Sequence, residues 1–327
     1  MLNSEKQVFQ DFSKNGKDRK WRERKLKNIE LAKRLEKLGY RSFERVYQCA
    51  EVLNFIEQQD GTRKLYQSYF CKNKLCPICN WRRSMKYAYQ AELVVNEAIE
   101  REPKGRFIFL TLTVKNVSGD KLNRTLTKMT EGFRRLMMYR KVDKNVLGYL
   151  RATEVTYSDD LNNYHPHLHV LLFVRPGYFK GGQYLTQEEW TKLWAKAMKL
   201  EYTPIVDIRV VKPKKENMGK KDGLKKAILE TAKYPVKPFD MEEDKNGQLI
   251  IYSEETKLKI TDDLIDGLHR KRQIGFGKLF KEIKVDLKLD DVEEGNLVKT
   301  GTDENSEDSG REIIAFWNWE RKNYFIK

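Results

Sequence analysis

The stretch Tyr164-His165-Pro166-His167-Leu168-His169-Val170-Leu171-Leu172-Phe173 decides the fold of this 327-residue chain. The run after His169 is apolar and rich in β-forming residues, so it predicts a strand buried in a sheet. Side chains alternate between the two faces of a strand, which places His167 and His169 on one face and Leu168 in the core. Two adjacent imidazoles form half of a divalent metal site. The alternative is a pair of polar residues on a solvent face, but only four histidines occur in the whole chain.

A third ligand is expected from the strand before this one. Residues 148–157 predict a strand, and residues 159–163 predict a turn, so the two strands should pair antiparallel. Glu154 then lies near the register of the two histidines, and a carboxylate with two imidazoles suits Mn²⁺ or Mg²⁺. An exposed carboxylate is the alternative for Glu154, and Asp159, Asp160 and His165 compete as third ligands.

The elements around this pair predict an α+β fold. They are a strand at 106–114, a helix at 121–139, strands at 148–157 and 167–174, a helix at 186–200 with Thr186 as N-cap, a strand at 205–211 and a helix at 224–234. The order β-α-β-β-α-β-α favours a split β-α-β core, in which an antiparallel sheet carries its helices on one side.

The cysteines predict a structural zinc site. All four lie in the first quarter of the chain, at Cys49, Cys71, Cys76 and Cys79. The first residues are polar and charged, so a secretory signal is not expected, and clustered cysteines then favour zinc over disulfides. Residues 43–70 predict a hairpin around Asp60-Gly61, with Cys49 on its first strand as the fourth ligand. Unmetallated buried cysteines are the alternative.

The charge of the chain predicts a polyanionic partner. The net charge is +16, and residues 290–308 carry a net −7, so the rest of the chain carries +23. Nucleic acid is the first candidate, an anionic membrane surface the second and mere solubility the alternative to both. No apolar run is long enough for a transmembrane helix, so the cytoplasm is the expected compartment. The candidate DNA-contacting residues are Arg82, Arg83, Lys86, Lys225 and Lys226.

A second group of candidate residues lies at the end of the helix predicted for 224–234. Glu230 and Tyr234 are four residues apart and therefore share one helical face. Pro235 disfavours helical backbone at Tyr234, so the helix should end there. Lys233 and Lys237 flank the tyrosine, and they would favour phenolate and hold a phosphate if Tyr234 attacks a phosphodiester. An ordinary packed tyrosine beside a solvated glutamate is the alternative.

Together these motifs resemble the rolling-circle replication initiators of small Gram-positive plasmids, which belong to the HUH endonucleases (histidine-hydrophobic-histidine). The resemblance covers about residues 45–285 and includes Phe109-Leu110-Thr111-Leu112-Thr113, the four cysteines and Arg272-Gln273-Ile274-Gly275-Phe276-Gly277-Lys278-Leu279. That family usually has two glycines before the leucine, and Lys278 stands in the second place here. The resemblance implies an HUH core with an N-terminal zinc knuckle.

The resemblance also implies a mechanism. His167, His169 and Glu154 would bind the metal, and Tyr234 would attack one strand of the plasmid origin, in single-stranded or extruded DNA, to leave a 5′-phosphotyrosine and a free 3′-OH. Glu230 would activate the water that ends the cycle. A host helicase and a host polymerase are implied as partners.

Other classes of protein also fit parts of this pattern. A histidine-triad nucleotide hydrolase would use a phosphohistidine, a zinc-knuckle DNA-binding regulator would not cleave DNA, and a relaxase or transposase would use the same chemistry on other DNA.

The predicted segments are a basic helical arm at 1–40 (solvated or in contact with DNA), a zinc-knuckle hairpin and basic helix at 41–101, the nuclease core at 102–288, an acidic solvated linker at 289–310 and a docking segment at 311–327.

Overall fold

The computed structural model describes residues 7–13, 15–158, 162–211, 223–232, 242–243, 249–250, 252–301 and 310–327. The helices of these residues are α1 (Trp21–Lys37), α2 (Phe43–Tyr47), α3 (Pro77–Arg101), α4 (Gly119–Met138), α5 (Arg140–Asn145), α6 (Gln187–Met198), α7 (Gly223–Thr231), α8 (Glu254–Gly267) and α9 (Leu279–Asp286), with a 3₁₀ turn at Pro176–Phe179. The strands are β1 (Val52–Glu57), β2 (Arg63–Ser68), β3 (Arg106–Thr113), β4 (Val146–Ser158), β5 (Asn163–Val174), β6 (Val206–Val211), β7 (Glu242–Glu243), β8 (Leu249–Ile250), β9 (Ile274–Lys278), β10 (Arg311–Asn318) and β11 (Asn323–Ile326). None of the helices in this described part of the chain is long and apolar enough to cross a bilayer.

The chain divides into two compact units. The first comprises residues 1–86, 254–261 and 291–327, and the second comprises residues 87–253 and 262–290. Each unit is built around its own antiparallel sheet. The segment boundaries predicted from the sequence are a finer division, and they stay predictions.

The sheet of the second unit has five strands in the order β6-β3-β5-β4-β9, all paired antiparallel. Because β5 pairs antiparallel with both β3 and β4, these two strands run parallel, with α4 in the connection between them. The unit β3-α4-β4 with β5 inserted is therefore a split β-α-β arrangement, as the element order predicts. The strand β9 extends the sheet beyond β4.

The two faces of this sheet carry different layers. The ring of Phe133 on α4 packs on Tyr149, which lies opposite Leu172 on the face away from the histidines. Helix α7 packs against β4, β5 and β6, and its Glu230 reaches Arg209 on the histidine face. The prediction of helices on one side is therefore wrong for α7, because the apolar residues of this helix cover part of the opposite face.

The strand that carries the histidines begins earlier than its apolar run predicts. The strand starts at Asn163, so Pro166 is its fourth residue, and Pro166 lies opposite Val155. On the other side of β5, pairing with β3 ends at His167, and the next contact is the bridge between Val117 and Tyr164. Pro166 lies in the gap between them, where no ladder hydrogen bond requires its missing N–H.

The sheet of the first unit has four strands in the order β11-β10-β1-β2. The predicted hairpin exists, but its first strand begins at Val52, because residues 43–47 form helix α2 and Cys49 lies in the turn that follows. The C-terminal segment forms β10 and β11, and residues 311–316 of β10 pair with β1. Residues of the basic arm form α1, which ends at Lys37 and is followed by Gly39 at a φ of +76°.

The acidic stretch differs from a solvated linker over its described part. Val292 and Leu297 are each 1% exposed, and Thr300 is also buried. Charge density alone predicted a solvated chain, but these apolar side chains, spaced between the carboxylates, pack into the core of the first unit. Residues 302–309 lie outside the described residues.

Candidate functional site

Glu154, His167 and His169 form the candidate metal group. Glu154 lies directly opposite His167 in the pairing of β4 with β5, and Ala152 lies opposite His169. The Nε2 atoms of His167 and His169 lie 3.1 and 2.8 Å from the same atom, Oε2 of Glu154. The three residues are the only such histidine and carboxylate group among the described residues. The sequence predicted these three residues together, and the register brings them together.

The two distances to Oε2 of Glu154 fit adjacent ligand positions around an octahedral divalent ion. Adjacent ligand atoms about 2.1 Å from Mg²⁺ are separated by about 3.0 Å, which is close to both distances above. Burial would raise the pKa of Glu154, but hydrogen bonds from His167 and His169 outweigh it and hold that pKa well below its usual range. The carboxyl group therefore stays ionised and supplies the negative charge that a cation requires. The identity of the ion, Mn²⁺ or Mg²⁺, stays a prediction.

Neighbouring oxygen atoms orient both imidazole rings. Nδ1 of His167 donates to the carbonyl oxygen of His165 at 3.3 Å, and this bond fixes the orientation of the ring whose Nε2 faces the carboxylate. Nδ1 of His169 lies 3.3 Å from the hydroxyl of Thr111. Thr111 is on β3 directly opposite His169, so only strand pairing shows that it belongs to the site. A motif search would find Thr111 within the β3 motif without assigning it this contact.

The competing ligands are not part of this group. The ring of His165 lies 5.4 Å from that of His167, between centroids, and burial lowers the pKa of His165. Its side chain contributes no atom to the convergent set. Asp159 and Asp160 lie outside the described residues.

Helix α7 places Glu230 over the face that carries the metal group. Its buried residues Ala227, Ile228 and Thr231 anchor the helix against the sheet. Nη2 of Arg209 on β6 donates to Oε2 of Glu230 at 2.6 Å. The helix is described to Thr231, and Tyr234, Lys233 and Lys237 lie outside the described residues. Arg209 was not predicted from the sequence, because nothing in strand 205–211 marks it as a partner of a residue 21 positions later.

The four cysteines form a second, separate cluster in the first unit. All four are buried and free of disulfides. Their Sγ atoms lie 3.6 Å apart in the pairs Cys49–Cys79 and Cys71–Cys79, and 3.7 Å apart in Cys49–Cys76. A tetrahedral zinc ion with Zn–S bonds of about 2.3 Å places its sulfurs about 3.8 Å apart, so the cluster fits zinc. The predicted ligand set is brought together, and the identity of the metal stays a prediction.

Helix α1 supplies polar partners to this cluster. The side-chain amide of Asn28 donates to Sγ of Cys76 at 3.4 Å, and Nζ of Lys25 donates to the carbonyl oxygen of Cys49 at 2.8 Å. Both residues are fully buried. A positive charge and an amide donor beside four sulfurs would offset the negative charge of a zinc tetrathiolate. Sequence reasoning missed both residues, because lysine and asparagine are common in a charged helix.

The basic residues proposed to contact DNA fall into two groups. Arg82, Arg83 and Lys86 are between 1% and 4% exposed. Arg82 donates to the carbonyl oxygen of Leu297, Arg83 to those of Lys72 and Asn73, and Lys86 to that of Asn296. These three side chains satisfy buried carbonyls instead of forming an exposed basic face, so the expectation of phosphate contacts is corrected for them. Lys225 and Lys226 are exposed on α7, as that expectation requires.

Comparison with known proteins supports one family. The replication protein family model matches residues 62–325. A "Protein rep" of Streptococcus pneumoniae is 50% identical over 324 residues, which is 98% of this chain and 96% of that protein. A "Protein rep" of Lentilactobacillus hilgardii is 43% identical over 98% of this chain and 99% of its own length. A "Replication protein" of Staphylococcus aureus is 50% identical over 74% of this chain and all of its own length. No solved structure gives a significant match.

The chain belongs to the replication protein family, in agreement with the plasmid replication initiators that its motifs resemble. The match covers most of the chain and contains both residue groups apart from Cys49. It does not include α1, which contributes Lys25 and Asn28 to the cysteine cluster.

Proposed function

We propose that this replication protein is a metal-dependent nickase that starts rolling-circle replication at its plasmid origin. The observation that carries the proposal is the convergence of Glu154, His167 and His169 on one point, on the sheet face that α7 also covers. A divalent ion bound there would polarise the scissile phosphate. The substrate is single-stranded or extruded origin DNA, because a phosphate in a duplex is hard to bring in line with a buried ligand group.

In this proposal Tyr234 is the nucleophile. Its oxygen forms a bond to phosphorus, and the bond from phosphorus to the 3′ oxygen breaks, which leaves a 5′-phosphotyrosine and a free 3′-OH. Lys233 and Lys237 hold the phosphate and favour the phenolate. Exposed Lys225 and Lys226 contact the same strand.

Glu230 ends the cycle in this proposal. Its carboxylate accepts a proton from water, the water oxygen bonds to phosphorus, and the bond from phosphorus to Tyr234 breaks. A helicase and a polymerase of the host would extend the primed strand.

A covalent adduct tests the proposal. Purified full-length protein is incubated with Mn²⁺ and single-stranded stem-loop DNAs that tile the plasmid carrying its gene, and the products are separated on a denaturing gel. We expect an adduct with wild-type protein and with the control Tyr184→Phe, whose tyrosine is 44% exposed in the second unit. The adduct should be absent with Tyr234→Phe and with His167→Ala.

Two results would contradict the proposal. Metal-independent DNA binding without any adduct would favour a zinc-knuckle regulator, and an adduct that survives Tyr234→Phe would exclude this nucleophile. Glu230→Ala separates the two steps, because it should keep adduct formation and lose hydrolysis. Equal loss of both steps would refute the role of Glu230.

A further inference from the structure

Arg209 connects the metal group to Glu230 through a continuous row of side chains on one sheet face. Arg209 lies opposite Phe109 in the pairing of β6 with β3, and its Cζ lies 4.5 Å from the centroid of the Phe109 ring. That centroid lies 5.6 Å from the centroid of the His169 ring. At the other end of the row, Arg209 donates to Glu230 at 2.6 Å. The guanidinium that binds Glu230 is therefore separated from the metal-group residue His169 by a single aromatic ring.

The ion pair conflicts with the role proposed for Glu230. A general base must direct a carboxylate lone pair at the water that it deprotonates. In the free protein, Oε2 of Glu230 already accepts a short charge-assisted hydrogen bond from Arg209. Glu230 is thus occupied by Arg209 as long as this pair persists.

Arg209 is suited to bind a phosphate instead. A guanidinium carries five N–H donors in a planar fork that matches a phosphate as well as a carboxylate. The side chain is 48% exposed, so a strand that enters this face can reach it, whereas the Glu230 side chain is 21% exposed. An ion pair that is half exposed is weak and exchanges readily. The stack on Phe109 holds the guanidinium in place during such an exchange.

We propose that Arg209 exchanges partners during the reaction. In the free protein it neutralises Glu230, and when a DNA strand enters the face it binds a non-bridging phosphate oxygen and releases Glu230 as the base. Hydrolysis would then require that a strand is present. This inference rests on the proposed function for the role of Glu230, but the exchange itself concerns binding and can be measured without any nicking.

A double-mutant cycle in binding tests the exchange. Fluorescence anisotropy with a labelled 20-nucleotide oligo-dT, at several salt concentrations, is measured for full-length wild-type protein, Arg209→Gln, Glu230→Gln and the double variant. Arg209→Gln should weaken binding about tenfold through the loss of a charge-assisted hydrogen bond, and lower the slope of log Kd against log salt by about 0.7, as expected for one phosphate contact on a single strand. Arg124→Gln, which removes an exposed charge on α4, is the control for general charge.

The informative comparison is Glu230→Gln in the two backgrounds. Glu230→Gln releases Arg209, so it should tighten oligo-dT binding by about two- to fivefold when residue 209 is arginine. The same substitution should not tighten binding when residue 209 is glutamine. An equal gain in both backgrounds would reflect only the removal of a negative charge and would overturn the exchange. Thermal unfolding checks each variant, and Arg209→Lys, which keeps the charge, should bind better than Arg209→Gln.

Adduct formation distinguishes a phosphate ligand from a positioning residue. As a phosphate ligand, Arg209 is needed for the first step, so Arg209→Gln should form adduct more slowly and Arg209→Lys should restore part of the rate. If Arg209 only positioned Glu230, Arg209→Gln would spare both oligo-dT binding and adduct formation and would slow hydrolysis alone, and this result overturns the inference. If wild-type protein forms no adduct, the proposed function fails, while the binding cycle still decides the exchange.

Discussion

Lys278, at the end of β9, has a backbone conformation that favours glycine. Its φ is 53° and its ψ is −135°. Strained backbone of this kind costs about 1–3 kcal/mol in a residue with a side chain. The Nζ atom offsets part of this cost, because it donates to the carbonyl oxygens of Asp143 and Val146 at 2.8 and 2.9 Å. Lys278 therefore has a backbone conformation that glycine adopts most easily, at the position where the resemblance leads one to expect a second glycine.

Substitutions at Lys278 should separate the backbone from the ammonium group. Lys278→Ala and Lys278→Gly both lose the contacts of Nζ, but only glycine adopts the left-handed φ without strain. We expect Lys278→Gly to be more stable than Lys278→Ala by about 1–2 kcal/mol in urea unfolding. Equal stability of the two variants would show that the backbone at this position carries no strain.

Glu154 should contribute strongly to the metal affinity of this site. Glu154→Gln keeps the size of the side chain but removes the ionised oxygen on which both histidines converge. We expect the affinity for Mn²⁺ to fall by at least about tenfold in isothermal titration calorimetry. Glu97→Gln, which changes a partly exposed helix carboxylate on α3, is the control. Unchanged Mn²⁺ affinity in Glu154→Gln would remove this residue from the ligand set.

The N-terminus of helix α6 is determined by its local sequence. The hydroxyl of Thr186 accepts from the backbone N–H of Glu189 at 3.2 Å, and the carboxylate of Glu189 accepts from the backbone N–H of Thr186 at 2.8 Å. This capping box is local, and the predicted N-cap is confirmed.

The capping box at Thr186 should stabilise the second unit. Thr186→Ala should destabilise the second unit by about 1 kcal/mol in thermal or urea unfolding, because the first-turn N–H loses its acceptor. Thr191→Ala on the same helix removes a hydroxyl that bonds to the carbonyl of Gln187, and should have a smaller effect. A cost for Thr191→Ala as large as that for Thr186→Ala would contradict the importance of the capping box.

Helix α1 is an element whose role no local pattern revealed. Its charged residues left a solvated helix and a DNA-contacting helix as equal expectations. In the structure the helix also buries Lys25 and Asn28 against the cysteine cluster. Helix α1 is therefore a structural part of the first unit.

At the scale of the whole molecule, the two clusters of metal-ligating residues lie in different units. The cysteines flank the hairpin of β1 and β2, and β10 near the C-terminus pairs with β1. The histidines and Glu154 lie on the sheet of the second unit. A metal held by the cysteines and a metal held by Glu154 and the histidines should therefore respond differently to chelation.

Zinc removal should affect the first unit selectively. We expect one tightly bound zinc per chain, and we expect its removal by a strong chelator to increase amide hydrogen exchange in β1, β2 and β10, because a structural zinc site contributes folding energy. Protection in β3 and β5 should persist and serves as the internal control. Stoichiometric zinc loss without any change in the exchange of β1 would contradict a structural role.

Much of the site could be predicted because its signals are local. The alternation of β5 places His167 and His169 on one face, and the short connection to the preceding strand places Glu154 near them. The spacing of Cys71, Cys76 and Cys79 indicates a metal cluster in the same way. Such patterns follow from the geometry of one strand or one turn, and they do not depend on how the rest of the chain packs.

Contacts between distant segments could not be predicted in this way. The pair Arg209–Glu230 joins residues 21 positions apart, and Arg82 satisfies a carbonyl 215 positions away. The basic residues at the start of α3 were expected on an exposed face, because sequence shows charge but not burial.

The sequence by itself determined which residues can bind metal and which strand presents the histidines, because side-chain alternation and cysteine spacing are properties of short segments. Only the tertiary structure decided that Glu154 lies directly opposite His167, that Arg209 holds Glu230 and that three predicted DNA contacts are buried. Strand register and burial depend on how distant segments pack, and no single segment contains that information.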